Sequence, residues 1–340
     1  MSLVMMHEFK KIIESSKEAK KLGLQTVLAS VVDLEGSSYR RPGVRMLIWE
    51  NGKFTGAVSG GCVEKEINRQ AQIVFATGVP RIMTYDGRFR LGCEGILYVL
   101  IEPFSPSPFF FDTLETVLLS REPFSLHSYY KKEDSQNINY GSACLFNSNV
   151  LSLQGKELNS HKLHVFKQTM TPCNQLIIIG SEHDAVQLCS FATALGWEVT
   201  IVTSPMEEKD ISHFPGAKKL IAVEPELFPI RDIDKHTAVI LMTHSYAKDL
   251  KYLLALSTSY PSYLGTLGPS KRREKLLHEF MEHNPEADLD FLENIHGPAG
   301  LDIGAETPQE IAISIMAEIL AVVRKKQPIK LRDKEKGIHQ

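Results

Sequence analysis

Three segments in the first hundred residues hold the side chains best suited to chemistry. GSSYRRPGVRM (36–46) sets the small hydroxyls Ser37 and Ser38 beside three guanidinium groups, Arg40, Arg41 and Arg45. Arginine is the side chain that grips a phosphate or another oxyanion through two parallel hydrogen bonds. SGGCVEKE (59–66) puts Gly60 and Gly61 directly ahead of a helical pattern. Glycines let a ligand approach the backbone, and a helix start offers unpaired N–H groups and a partial positive charge. Cys62 stands at that start, where a thiol pKa falls and the thiolate becomes available. Its plainer reading is a buried small hydrophobe. Glu64, in the first turn, is favoured there by the helix dipole alone. RLGCEG (90–95) offers a second thiol, Cys93, between Gly92 and Glu94. Neither Cys62 nor Cys93 has a Cys or His partner at zinc-site spacing, so a structural zinc site is not expected. Cys144, Cys173 and Cys189 fall in strand, linker and helix contexts and read as structural.

Further along, the apolar run LIIIG (176–180) leads into GSEHDA (180–185). A dinucleotide fingerprint wants G-x-G-x-x-G/A after the strand and an acid closing the second strand. Gly180 and Ala185 fit, but Glu182 replaces the middle glycine and the second strand closes on Thr203. A carboxylate about 4 Å from a pyrophosphate charge costs about 4 kcal/mol at an effective dielectric of about 20. One good hydrogen bond returns about 1 kcal/mol net, so NAD(P) binding is disfavoured although the pattern reads as Rossmann. His244 and Asp249 follow the strand AVILMTHS, at the edge where α/β sheets place ligands; a structural histidine is the ordinary alternative. GPAGLDIGAETP (297–308) sets Asp302 among small residues before a helix, either as a tight helix entry or as an anion or pterin-ring contact.

Hydrophobic period predicts the elements that position these groups. Phe9, Ile12, Ile13 and Ala19 mark an amphipathic helix over 6–22 that stops at Gly23. LQTVLASVVD (24–33) reads as a strand, and Asn51-Gly52 joins VRMLIWE to KFTGAVS as a hairpin. Val63, Ile67, Ala71 and Val74 recur at helical spacing, and the strands RIMTY and ILYVLIEP complete an α+β unit. Residues 104–172 read as an extension with one helix (about 108–120), the strands FSLHSYY and SACLF, and a linker. From 176 onward strands and helices alternate: a helix through Ala185, Leu188, Ala192 and Leu195, then WEVTIVTS, AVILMTHS, a helix over 246–258, SYLGTLG and a helix over 270–283. Such alternation implies a parallel sheet covered on both faces. Thr307, Pro308 and Glu310 form a capping box for a last helix with the apolar stripe Ile311, Ile315, Ile319 and Val322. The fold class is α/β: a small N-terminal α+β domain (1–172), a Rossmann-like doubly wound parallel-sheet domain (173–326) and a polar tail (327–340).

Composition bounds the function classes. The chain has 340 residues, 43% hydrophobic and 23% charged, with a net charge of -3, which suits a globular protein with no basic domain for nucleic acid. Apolar runs fall well short of the roughly 20 residues of a membrane span, and the first residues lack the order of a secretory signal. Five cysteines without a CxxC argue against a disulfide framework, so the expected location is the cytoplasm.

Taken in order, GSSYRRPGVRMLI, SGGCVEKEI, LGCEG, LIIIGSEHDA, THSYAKDL, YLGTLGPSKRR and GPAGLDIGAETPQEIAISIMAEI resemble the XdhC/CoxI family of molybdenum-hydroxylase accessory proteins. The resemblance covers both domains. It implies a maturation factor for a xanthine dehydrogenase-type hydroxylase, one that binds molybdenum cofactor (molybdopterin), assists its sulfuration by a cysteine desulfurase and hands it to the hydroxylase. That is a cofactor chaperone, not a turnover enzyme. Carried onto this chain, it points to Cys62 and Cys93 as the reactive thiols, with Cys62 as the molybdenum contact. Ser38, Arg40, Arg41, Arg45, Gly60, Gly61, Glu64, Gly180, His244 and Asp302 are then cofactor-binding residues. The family's GAGH-type turn is GSEH here, its acid is Thr203, and a glycine after the later cysteine is Glu94. These departures touch nucleotide binding and leave the N-terminal motif intact. A cleft shared by the domains and a homodimer are further expectations. Two other readings stand beside this one: an NAD(P)-dependent oxidoreductase using the second domain, and a scaffold that joins desulfurase to hydroxylase without binding cofactor.

Overall fold

TVLASVVDLE, apolar and β-branched, forms the ten-residue strand β1 (Thr26–Glu35) at the centre of the first sheet. The computed structural model describes residues 6–36, 41–59, 61–88, 95–147, 149–159 and 161–334, the side chain of Cys62 excepted. The chain divides into two units, Met1–Pro172 and Cys173–Gln340.

In the first unit, α1 (Met6–Lys21) buries Phe9, Ile12, Ile13 and Ala19 and ends before Gly23, whose φ of 71° lies in the left-handed region. β2 (Arg45–Trp49) and β3 (Phe54–Gly56) form the Asn51-Gly52 hairpin. α2 (Cys62–Thr77) crosses beneath the sheet to β4 (Arg81–Asp86), and β5 (Ile96–Pro103) inserts between β1 and β4. After α3 (Pro108–Ser120) come β6 (Phe124–Tyr130), the short β7 (Ser135–Gln136), β8 (Gly141–Phe146), β9 (Asn149–Ser152) and β10 (His164–Met170). Two antiparallel sheets result, ordered β3-β2-β1-β5-β4-β7 and β10-β6-β8-β9. The stretch expected as extension and linker is thus itself a sheet. Tyr130 and Tyr140 from it pack on Val32, Ile82, Tyr98 and Leu100 of the first sheet. On the opposite face Val63, Ile67, Ala71 and Val74 of α2 are buried against Val27, Ala29, Val31 and Val99. Gly78, at φ 66°, closes α2 by donating its N–H to Val74 O.

The second unit is a six-stranded parallel sheet of β11 (Gln175–Ile179), β12 (Glu198–Thr203), β13 (Lys219–Ala222), β14 (Thr237–Leu241), β15 (Tyr263–Thr266) and β16 (Ile295–His296). Its order, β13-β12-β11-β14-β15-β16, reverses direction at β11, the doubly wound arrangement. α4 (His183–Ala194) and α8 (Pro308–Val323) share one face. α5 (Tyr246–Leu256), α6 (Ser270–His283) and α7 (Leu289–Glu293) cover the other. β16 and α7 carry no period in the sequence because each spans too few residues. Thr307 and Glu310 make the reciprocal capping box at the start of α8. Within α8, Glu318 draws three donors together: the Tyr263 hydroxyl, the Gly300 N–H at 2.7 Å and His296 Nδ1 at 3.2 Å. Burial disfavours the Glu318 charge, but hydrogen bonds from His296, Tyr263 and Gly300 outweigh it and hold the carboxyl below its ordinary value of 4.5.

Two expectations follow from this packing. Ile67→Ala, which empties a fully buried site under β1 and β5, should lower unfolding free energy by about 2–5 kcal/mol in urea titrations. Because the folded Glu318 pKa is depressed, its stabilisation is complete above the ordinary carboxyl value and fades as pH falls through the folded one. Unfolding midpoints of Glu318→Gln and the parent protein should therefore differ most at neutral pH and converge as pH falls below the ordinary carboxyl value.

Candidate functional site

Strand register assembles the site in the first unit. Glu35, the last residue of β1, pairs with Ile96, the first of β5, and Ile96 pairs on its other side with Asp86, the last of β4. The segment leaving β1 and the one joining β4 to β5 therefore emerge side by side. β3 ends at Gly56 opposite Met46, near the start of β2, so the chain after β3 leaves at this same edge. The described residues that flank GSSYRRPG, SGGC and RLGCEG thus share one edge of one sheet. Ser37, Ser38, Arg40, Gly60, Cys93 and the Cys62 side chain lie outside the described residues.

Glu64 organises the turn into α2. Its Oε1 accepts the Val58 N–H at 3.1 Å and the Ser59 N–H, and its Oε2 accepts the Gly61 N–H at 2.7 Å. A carboxylate so engaged supports the turn, so the expected cofactor-contacting role of Glu64 becomes a positioning role. Gly61 itself sits at φ 119°, ψ -37°, and a Cβ there would meet nothing within 4 Å. Backbone conformation, not crowding, demands glycine, and the space above the α-carbon at the helix start stays open.

Arg45 departs from expectation. Its side chain points into the layer between the two sheets and is only 5% exposed, so it does not reach a phosphate at the edge. Nη1 donates to Gly43 O at 2.8 Å, tying down the turn that follows Arg41, while Nε and Nη2 have no partner among the described residues. Burial pushes the guanidinium pKa down to about 10, against the pull of Cys144, Glu102 and Glu8. Glu102 shares that layer. It accepts from Ser142 N and Gln154 Nε2, both at 2.9 Å, and burial raises its pKa. Arg41, half-buried, stands where the edge segment re-enters the described chain.

A second charged group at the edge has no signal in the sequence. Lys132, just beyond β6, lies 2.7 Å from Asp33 Oδ2 and 3.4 Å from Glu35 Oε1. Tyr130 and Tyr98 donate their hydroxyls to the same two carboxylates. Burial opposes the Asp33 charge, but hydrogen bonds from Lys132, the Leu34 N–H and Tyr130 overcome it and lower that pKa. The partners lie 97 residues apart for Asp33 and Tyr130, beyond any local pattern.

In the second unit, Gly180 ends β11 at the switch point, and a Cβ there would sit 2.3 Å from Met242 O. His244, beyond β14, adopts φ 55°, unusual for a non-glycine residue, and its half-exposed ring stands 3.6 Å from Asp184 in the first turn of α4. Asp249 is buried, holding Thr243 Oγ1 at 2.6 Å and Arg272 Nη2 at 2.7 Å, so it locks the start of α5 instead of facing a ligand. Asp302 is exposed on the segment between β16 and α8. Lys209 covers the Gly180 turn, donating to Ser181 O at 2.7 Å and pairing with Glu182 at 3.5 Å. The crevice left there measures about 30 Å³, room for a water or two. Glu224 reaches within 3.4 Å of Ser204 Oγ, bringing a carboxylate near the end of β12 that Thr203 does not supply.

The fold is that of a two-unit α/β protein, an antiparallel unit and a Rossmann-type unit with Lys209 lying over its glycine turn. The chain belongs to the XdhC and CoxI family: residues 19–86 match that family, and residues 176–319 match the XdhC Rossmann domain. It is 29% identical over 315 residues to a probable xanthine dehydrogenase subunit of Bacillus subtilis, covering 87% of this chain and 92% of that one. It is 26% identical to the molybdenum cofactor insertion chaperone PaoD of Escherichia coli, covering 92% and 87%. A crystal structure described as a xanthine dehydrogenase, from Bacillus halodurans, superposes with a TM-score of 0.76 at 26% identity, covering 93% and 97%.

Glu64→Gln should expose the support of the SGGC turn. Its amide places a donor against at least one backbone N–H, so a loss of about 1–3 kcal/mol is expected in denaturant unfolding. The Val58, Ser59 and Gly61 amides should lose hydrogen-exchange protection together; unchanged exchange at all three would remove Glu64 from this role.

Proposed function

We propose that this chain is a maturation factor for a molybdenum hydroxylase of the xanthine dehydrogenase type, taking up molybdenum cofactor as cargo at the edge of the first unit. The observation that carries this reading is the shared edge at which β1, β3, β4 and β5 end or begin, the described residues there flanking the arginine, SGGC and LGC segments in sequence. The names borne by relatives aligned over nearly the whole chain, a cofactor insertion chaperone among them, support it. Molybdenum cofactor presents a phosphate, a flat pterin and a soft metal–dithiolene centre. The open α2 start and Arg41 suit the phosphate, and the thiols of Cys62 and Cys93 suit the soft centre. Glu64 and Arg45 act behind them, one holding the SGGC turn and the other the Pro42-Gly43 turn. Assistance in sulfuration by a cysteine desulfurase, and insertion into the hydroxylase, belong to this proposal. The Lys209–Glu182 pair on the Gly180 turn weighs against the dehydrogenase alternative.

Anaerobic incubation with isolated molybdenum cofactor, with NAD(P) titrated in parallel by calorimetry, tests the reading. The parent protein should retain molybdenum and pterin in stoichiometric amount, and Cys62→Ser should lose that retention and fail to mature the hydroxylase while remaining folded. Full maturation by Cys62→Ser would sink the thiol assignment. Maturation that persists after Cys62 and Cys93 are both alkylated, without cofactor retention, would establish the scaffold instead.

A further inference from the structure

The second unit holds a pocket that none of this chemistry uses. It lies at the amino ends of β15 and β16, on the opposite side of the sheet from the Gly180 crevice, and encloses about 210 Å³. Tyr260 and Pro261, from the segment before β15, form one wall, and Phe291 of α7 contributes to another. Tyr263 and His296 both line it, their rings stacked at 4.3 Å between centroids and 17° between planes. Flat, largely apolar surfaces of this kind accept a ring face. The volume falls below the roughly 300 Å³ of a site for a drug-sized molecule, which limits the occupant to one or two fused rings.

Polar specificity comes from behind the pocket. His296 Nδ1 lies 3.2 Å from Glu318 Oε1, and the same carboxylate also accepts from the Tyr263 hydroxyl and the Gly300 N–H. A carboxylate is acceptor only, so the imidazole must donate through Nδ1. In the neutral ring that leaves Nε2 unprotonated, a lone pair on a side chain that lines the pocket. Tyr263, 2% exposed, spends its hydroxyl on Glu318 and backs the His296 ring from within the core. Among the described residues no three metal-ligating side chains gather, so the unshared imidazole nitrogen has no metal cluster to serve.

We propose that this pocket binds a small planar ring carrying an N–H or O–H donor, with His296 Nε2 accepting the hydrogen bond and the Tyr263–His296 stack fixing the ring's depth. The proposal stands independently of the molybdenum cofactor reading. Indole and 1-methylindole, equal in shape but different in the donor, are the probes, titrated into the full chain with ¹⁵N-labelled histidine at pH 8. His296 should appear as the Nδ1–H tautomer, and indole should shift its signals saturably. Indole should bind at least tenfold more tightly than 1-methylindole, and His296→Phe, which keeps a ring at that position, should abolish the difference. An Nε2–H tautomer, no saturable shift with indole, or equal binding of the two probes to the parent protein would each overturn the proposal. Should His296→Phe fail to fold, the tautomer and the two-probe comparison in the parent protein decide the matter.

Discussion

β5 hydrogen-bonds on both flanks, and the register of those two ladders is the constraint on which the functional edge depends. Because Ile96 faces Glu35 on one side and Asp86 on the other, residues distant in sequence leave the sheet in one row. A slip of one residue in either ladder would also turn alternate side chains of β5 from the α2 face to the inter-sheet layer, so burial on both faces enforces the register. The position of α2 follows from the same sheet: its apolar stripe must lie across β1 and β5, and that leaves its first turn at the edge. Glu64 then converts a loop into a defined surface by tying three amides to one carboxylate.

The second unit shows how far topology and residues can part. Strand order and the turn after β11 have the dinucleotide-binding form, and Gly180 is required by the closeness of the Met242 carbonyl. Yet Glu182 and Asp184 put two carboxylates at the start of α4, one paired with Lys209 and the other facing His244. The Lys209–Glu182 pair and the Asp184 carboxylate beside the His244 ring stand around the turn at which dinucleotide-binding folds hold a pyrophosphate. The sheet alone is enough to require glycine at this turn.

Legibility follows physical range. The capping box of Thr307 and Glu310, the Asn51-Gly52 hairpin and the stripe on α2 are local patterns, and each is plain in the residues. The inward course of Arg45 is hidden because β2 is buried on both faces: all five of its residues are buried, so no alternation distinguishes an inward arginine from an outward one. Glu64 sits at the spacing of a capping residue, a spacing that suggests a dipole effect and says nothing of its reach back to Val58 and Ser59. Lys132 meets Asp33 and Glu35 only through the pairing of distant strands. The small sheet made by β6, β8, β9 and β10 is only half legible: β6 and β8 read as strands, whereas β9 and β10 are mostly exposed and carry no apolar alternation.

The interior cysteines bear on selectivity. Cys144 is wholly buried, and burial pushes its thiol pKa far up; the same cause pushes Cys189 to about 11. At neutral pH only about one Cys189 in ten thousand would carry the thiolate that attacks sulfur or an electrophile. These two interior thiols are therefore poor nucleophiles at neutral pH. Solvation alone thus sets two thiols of this chain far below the reactivity that an exposed cysteine would have.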